Sequence, residues 1–199
     1  MPTPRTMEIP LPAPVRAGQV SLEEVLYRRR SRREFSARPL TEQQIGQLLW
    51  AAQGITSSEG LRTAPSAGAL YGLEVYVVTS AGFYHYAPEG HQLERRSEED
   101  LRPALCRAAL DQEAILGAGA VFVIAAVYAR IAAKYGKERG IRYTHLEAGH
   151  AAQNLLLQAV ALNLGGVPMG AFRDEQVQKV LSIPADQSPL YLIPVGVPR

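Results

Sequence analysis

Five of the six residues from Arg28 to Arg33 are arginine, and the sixth is Ser31. A guanidinium binds phosphate oxygens in pairs, and a serine hydroxyl among them adds a neutral donor. The spacing Arg29, Ser31, Arg33 gathers these groups around one small anion, which suits a phosphate dianion better than a long polyanion. A duplex binder would carry further basic residues along one face, but the remaining ones are scattered. The plain alternative for the run is a solvated face. A second stretch, Arg62 to Tyr71, contains Pro65-Ser66-Ala67-Gly68-Ala69, whose backbone is nearly bare of side chains. A third, Val167 to Phe172, sets Gly170-Ala171 between apolar residues. Small residues there let backbone approach something flat. The alternative is a core helix with a tight exit.

Other chemistries lack their signatures. No GxGxxG follows a strand and no P-loop is present, so neither a Rossmann dinucleotide site nor an NTPase is supported. There is no GxSxG elbow, and Cys106 stands alone without a catalytic context. His85, His91, His145 and His150 follow no zinc pattern, and no metal site is expected. Glu147 and His150 are spaced for an intrahelical contact and read as structural.

These three places need elements to hold them. Thr144 and Glu147 are spaced as a capping box, which predicts a helix over 146–164, about 28 Å long. From Leu155 to Leu164 it is apolar nearly all round, so it must be buried on every side. Gly165 and Gly166 are expected to stop it. Ser21 and Glu24 form another capping box before Leu22, Val25 and Leu26. Thr41 and Gln44 form a third, before a helix through Leu48, Leu49 and Ala52 that Gly54 ends. Residues 73–79 read as a strand, with 83–87 as its hairpin partner at a sheet edge. Ser97 is expected to cap a helix over 98–110. Residues 121–128 are apolar on both faces, as in a central strand. A short helix is predicted over 129–136, another from Asp174, and a last strand over 190–195. The class is α+β.

The sequence has 199 residues, 47% of them hydrophobic, with a net charge of +2. Those values describe an ordinary globule, here a Pro-rich arm over 1–20 and a single domain over 21–199. The charge is too small for general nucleic-acid binding. The lone cysteine excludes an intramolecular disulfide and fits a reducing compartment. Residues 1–20 show no basic-then-apolar leader, and no apolar run is long enough to span a bilayer. A cytoplasmic location is expected.

The motifs RRSRREF (29–35), LLWAAQGI (48–55), RTAPSAGALYGLEVYVV (62–78), YGKERGIRYTHLEAGHAAQNLLLQA (135–159) and GGVPMGAF (165–172) occur in this order. The sequence resembles the FMN-dependent nitroreductase superfamily and, within it, the SagB-type dehydrogenase branch, which includes thiazoline and oxazoline oxidases. The resemblance implies an α+β fold with a mixed sheet flanked by helices. It implies an intertwined homodimer with FMN at the interface. Arg29, Arg30, Ser31 and Arg33 would then hold the FMN phosphate and the ribityl or pyrimidine side. Pro65, Ser66, Ala67 and Gly68 would line the ring from the partner subunit. Gly170 and Ala171 would present backbone N–H near flavin N5, where the superfamily's best-known members carry Glu-Gly. Arg199 would be a further phosphate contact.

The resemblance implies two activities. One is hydride transfer through N5 between NAD(P)H and an electron-poor acceptor. The other is dehydrogenation of an azoline ring with electrons passed to oxygen, where Lys134-Tyr135 resembles the acid/base pair of the azoline oxidases. The plainer reading of Lys134 is a solvated residue favoured by a helix C-terminus. A non-enzymatic anion or nucleic-acid binder using Arg28–Arg33 is the alternative of another class. Small-molecule substrates are expected as partners, and nucleic acid and membranes are not.

Overall fold

The computed structural model describes residues 7–36 and 38–199. The expected prolines Pro2 and Pro4 lie outside the described residues. Strand β5 (Ala120–Ala126) is the axis of the fold: all seven of its residues are buried. It pairs on one side with β2 (Leu73–Thr79) and on the other with β7 (Ser188–Gly196). The hairpin from β2 to β3 (Gly82–Ala87) forms as predicted. However, β3 is not an edge, because β4 (Gln92–Ser97) and then β1 (Glu8–Pro10) continue the sheet. Gln-Leu-Glu-Arg-Arg-Ser reads as polar, and its strand character comes from alternation around Leu93 and from pairing with β3 and β1. Residues 8–10 of the arm therefore form a strand, and Leu11 beyond it is buried. The sheet order is β1-β4-β3-β2-β5-β7-β6, with β6 being Gly165–Gly166. Every named pairing is antiparallel, and a parallel bridge between Ser31 and Gly166 makes the sheet mixed at that end.

Helices cover both faces. On one, α2 (Glu42–Gln53) and α6 (Lys137–Ala161) press Leu48, Leu49, Ala52, Ala151, Leu155 and Ala159 against Val75, Val77, Phe122 and Ile124. On the other, α3 (Arg102–Ala108), α4 (Ala114–Gly117) and α7 (Asp174–Leu181) bury Leu105, Ile115, Val177 and Leu181 against Val78, Val121 and Val123. Each such side chain contributes about 1.5–3 kcal/mol by leaving water. The Ser21 cap begins α1 (Leu22–Arg28), and the Thr41–Gln44 capping box begins α2, both as predicted. Ser97 ends β4 instead of capping a helix over 98–110, and α3 starts later with Pro103 in its first turn.

The long helix departs most from expectation. It starts ten residues earlier than Glu147, at Lys137, after α5 (Tyr128–Tyr135) and the turn at Gly136. Thr144 is not its cap, because its hydroxyl donates to Gly140 O one turn back. Glu147 is buried instead of completing a box. The helix ends at Ala161, so Gly165–Gly166 do not stop it but pair with Gly196 and Val195. Nor is it covered all round: Leu157, Ala161 and Leu162 are half-buried and line a groove of about 810 Å3 with Val15, Val20 and Trp50. No described helix is long and apolar enough to cross a membrane.

Candidate functional site

The arginine run leaves α1 and lies beside β6. Ser31 bridges Gly166, and Arg32 N–H donates to Gly166 O at 3.0 Å. The side chain of Arg32 packs so closely on Gly165 that a Cβ there would meet it at 2.8 Å. Arg30 turns back on α1 and donates to Tyr27 O and Arg29 O, satisfying carbonyls at the helix end. Arg29 is half-buried and Arg33 exposed, and among the described residues neither has a carboxylate partner. Phe35 bridges Pro198, and Arg199 N–H donates to Glu34 O at 3.3 Å. The C-terminal arginine therefore belongs to the same corner as Ser31 and Arg33.

From Gly166 the chain runs along β7 to Met169, which exchanges hydrogen bonds with Leu192 at 2.9 and 3.0 Å. Gly170 and Ala171 follow, both exposed, with open space where a Gly170 Cβ would be. Among the described residues, neither backbone N–H has an acceptor. The turn is nevertheless anchored: Gln112 Nε2 donates to Ala171 O at 2.8 Å, and Arg173 N–H donates to Ala108 O at 3.0 Å. Gln112 follows Leu110 and Asp111, whose φ angles of 59° and 57° are left-handed. Sequence reasoning missed Gln112, and nothing in its neighbourhood signals it.

A second group forms at the other half of α6. Gly68 has φ 63°, which glycine takes readily. A Cβ there would meet Tyr135 Oη at 2.8 Å and Lys134 Nζ at 3.0 Å. The end of α5 thus rests on the bare loop, with Tyr143 edge-on to Tyr135 at 5.2 Å. Lys134 is exposed, with Nζ 5.4 Å from the Tyr135 ring. Ser66 Oγ donates to Glu147 Oε2 at 2.6 Å and accepts from Tyr71 N–H at 2.9 Å. Arg62 stacks over Tyr71 at 4.5 Å and donates to Gln53 and Glu89. His150 Nδ1 lies 3.3 Å from Pro65 O, so the expected contact with Glu147 is not its role. Burial pushes the Glu147 carboxyl above its ordinary pKa, against the hydrogen bonds from Ser66 and Gly72.

The structure therefore joins Arg29, Ser31, Arg33, Gly170, Ala171 and Arg199 along one strand path, and separately joins Pro65–Gly68 with Lys134 and Tyr135. The second group meets α6 at Glu147 and His150, whereas Gly166 packs on Leu156, about 14 Å further along the helix than Glu147. No hydrogen bond among the described residues links them.

The sequence model of the Nitroreductase family matches residues 26–197, nearly the whole chain. The chain belongs to the nitroreductase family. A Methanocaldococcus jannaschii protein provisionally named a nitroreductase is 44% identical over 197 residues, 96% of each chain. The crystal structure of a provisionally named nitroreductase from Ralstonia eutropha superposes with a TM-score of 0.85 at 30% identity, over 96% of this chain and 90% of that one. An NADPH:FMN oxidoreductase from Vibrio harveyi, solved with NAD+, shares the fold at 24% identity with a TM-score of 0.68, over 89% of this chain and 68% of that one. The family match covers both clusters except Arg199.

Proposed function

We propose that this nitroreductase-family protein is an FMN-dependent oxidoreductase that works as a homodimer, taking hydride from NAD(P)H and delivering it to an electron-poor acceptor. The observation that carries the reading is the pairing of Arg29 and Arg33 with the N–H groups of Gly170 and Ala171 along one strand path, the arginines having no carboxylate partner and the N–H groups no acceptor among the described residues. Such donors fit a ligand with a phosphate at one end and a flat, hydrogen-bond-accepting ring at the other. The chemistry FMN supplies when bound is reversible two-electron transfer, with N5 as the hydride terminus.

The residues divide the work. Arg29, Ser31 and Arg33 bind the phosphate, with Arg199 beside them. Gly170 and Ala171 orient the ring edge by backbone donors, which Gln112 and the Met169–Leu192 pair hold still. The segment Pro65–Gly68 covers the ring from the partner subunit, which accounts for the separation of the two clusters within one chain. The dimer also covers the exposed apolar residues Leu22, Leu26 and Tyr27 of α1 and the groove beside α6.

A second reading is favoured by Lys134 and Tyr135 resting on Gly68. It makes the protein a SagB-type azoline dehydrogenase, with these two residues moving a proton at the substrate and oxygen taking the electrons. Anaerobic mixing of the yellow protein with NADPH or NADH separates the readings. Fast bleaching of the visible flavin band supports the first. No bleaching with either, together with bleaching by a thiazoline peptide, supports the second. A colourless protein that binds no added FMN returns the anion-binder alternative.

A further inference from the structure

The loop after Thr63 has an unusual backbone. Gly68, Ala69 and Tyr71 have φ of 63°, 53° and 50°. Alanine and tyrosine rarely take the left-handed region. Such a conformation persists only where the surroundings over-determine it. Lys134 and Tyr135 rest on Gly68, and Arg130 Nη1 donates to Tyr71 O at 3.1 Å, but the inner side of the loop is held by one stripe of α6. Glu147, His150 and Asn154 are three and then four residues apart, so they share a helix face. Asn154 Nδ2 donates to Thr63 O at 3.3 Å. His150 Nδ1 donates to Pro65 O at 3.3 Å. Glu147 Oε2 accepts from Ser66 Oγ at 2.6 Å and from Gly72 N–H at 3.2 Å. Ser66 Oγ accepts in turn from Tyr71 N–H.

The Glu147 carboxyl thus closes the loop from inside, taking Ser66 and Gly72 from its two ends. It is 1% exposed. Among the described residues its Oε1 is buried without a hydrogen-bond partner, as are Gln53 Nε2 and Arg62 Nε, although Gln53 and Arg62 lie near enough to favour its anion. A buried carboxyl is costly unless hydrogen-bonded. What this residue adds is the pair of bonds to the loop.

The geometry points to Glu147 as a positioning residue: acting through Ser66 and Gly72, it holds Pro65–Tyr71 in the shape that faces the cofactor. This rests on the FMN reading above. The carboxyl lies behind the loop and touches no reacting atom. It sets the form of a loop that begins with five small residues, Pro65 to Ala69.

Three variants of the full chain test this: Glu147→Ala, Glu147→Gln and Ser66→Ala. The readouts are FMN affinity by fluorescence titration and amide hydrogen exchange of the apoprotein, resolved over residues 63–72 and over α6. Glu147→Ala should weaken FMN binding about 10-fold and speed exchange at residues 69–72 about 10-fold. Glu147→Gln keeps an oxygen that accepts from Ser66 and Gly72, so both readouts should stay within about 3-fold of the parent. If Glu147→Ala does not fold, Ser66→Ala should give the same local rise in exchange. Parent-like loop exchange in the alanine variants overturns the inference. So does a rise spread evenly over α6 and the sheet, or a glutamine variant as impaired as the alanine one. If the parent binds no FMN, the flavin reading fails, and loop exchange alone decides whether Glu147 holds the segment.

Discussion

Ser31 and Gly166 form a parallel backbone bridge that joins the arginine run to the strand leading to Gly170. This one pairing puts a cluster of cations and a pair of free N–H groups on the same path. With Arg32 N–H bonded to Gly166 O, alternate residues Arg29, Ser31 and Arg33 remain available to an anion. Arg29→Ala or Arg33→Ala should therefore weaken FMN binding, each by about 1.5–3 kcal/mol, roughly 10- to 150-fold. Flavin retained per subunit after dialysis measures it. Equal retention in variant and parent would remove the clasp from the site.

The separation of the two clusters along α6 makes a statement about assembly. With Pro65–Gly68 covering the ring from the partner as proposed, the site needs two chains, and the uncovered apolar residues of α1 and the groove beside α6 would gain a cover. An obligate dimer is expected, with an interface above about 2,000 Å2. Light scattering at low micromolar concentration should give twice the chain mass of 21.7 kDa. A monomer with FMN still bound would contradict the two-chain site.

Much of this fold was legible because its signals are local. The caps at Ser21 and Thr41, the all-apolar run of β5 and the hairpin of β2 and β3 depend on residues close in sequence. What was illegible depends on distant partners. β4 looks polar until β1 and β3 are beside it. Glu147 looked like half of a capping box because Ser66, eighty-one residues away, cannot be seen from the helix. A better signal was available: Glu147 and Asn154 are polar positions on a face otherwise made of Ala148, Ala151, Ala152 and Leu155. The arginine, Pro-Ser-Ala-Gly and Gly-Ala motifs stood out because bare or like-charged sequence has few structural uses, but their grouping required the sheet.

A charged ladder crosses β2, β3 and β4 and reaches the Pro65–Tyr71 loop, where Arg130 Nη1 donates to Tyr71 O at 3.1 Å. His85 lies 2.6 Å from Glu74 and 3.1 Å from Glu94, and Arg130 and Arg96 flank the two carboxylates. Burial opposes charge on the imidazole, but the hydrogen bonds to Glu74 and Glu94 and their negative charge outweigh it, so the His85 pKa is raised. Burial likewise opposes the Glu74 anion, and the bonds to His85 and Arg130 outweigh it, so its pKa is lowered. A raised histidine pKa gives stability that is complete below about pH 6.5 and lost as pH rises through the folded value. A lowered glutamate pKa gives stability that is present above about pH 4.5 and lost as pH falls through the folded value. The Tm gap between the parent and His85→Gln should therefore be widest near about pH 6 and narrow towards about pH 9, at roughly 2–4 °C per kcal/mol for a chain of this size. A gap that does not change over that range would show that His85 is neutral in the folded protein.

The turn at Gly170-Ala171 decides whether the reactive edge is rightly assigned. It carries no side chain that could do chemistry, so any contribution must come from its backbone donors. Those donors are fixed from three sides: by Met169 on Leu192, by Gln112 on Ala171 O and by Arg173 on Ala108 O. Ala171→Pro removes one N–H and leaves the arginine clasp untouched. FMN should stay bound, because its phosphate is held elsewhere, while flavin reduction should slow about 10- to 100-fold, or roughly 1.4–2.8 kcal/mol of barrier. Gln112→Ala, which frees the turn without deleting the donor, should slow reduction less and leave FMN content unchanged. Stopped-flow absorbance with NAD(P)H reads both variants. Loss of FMN together with activity would make the turn structural only. Unchanged reduction in Ala171→Pro would mean that N5 meets a different part of the chain.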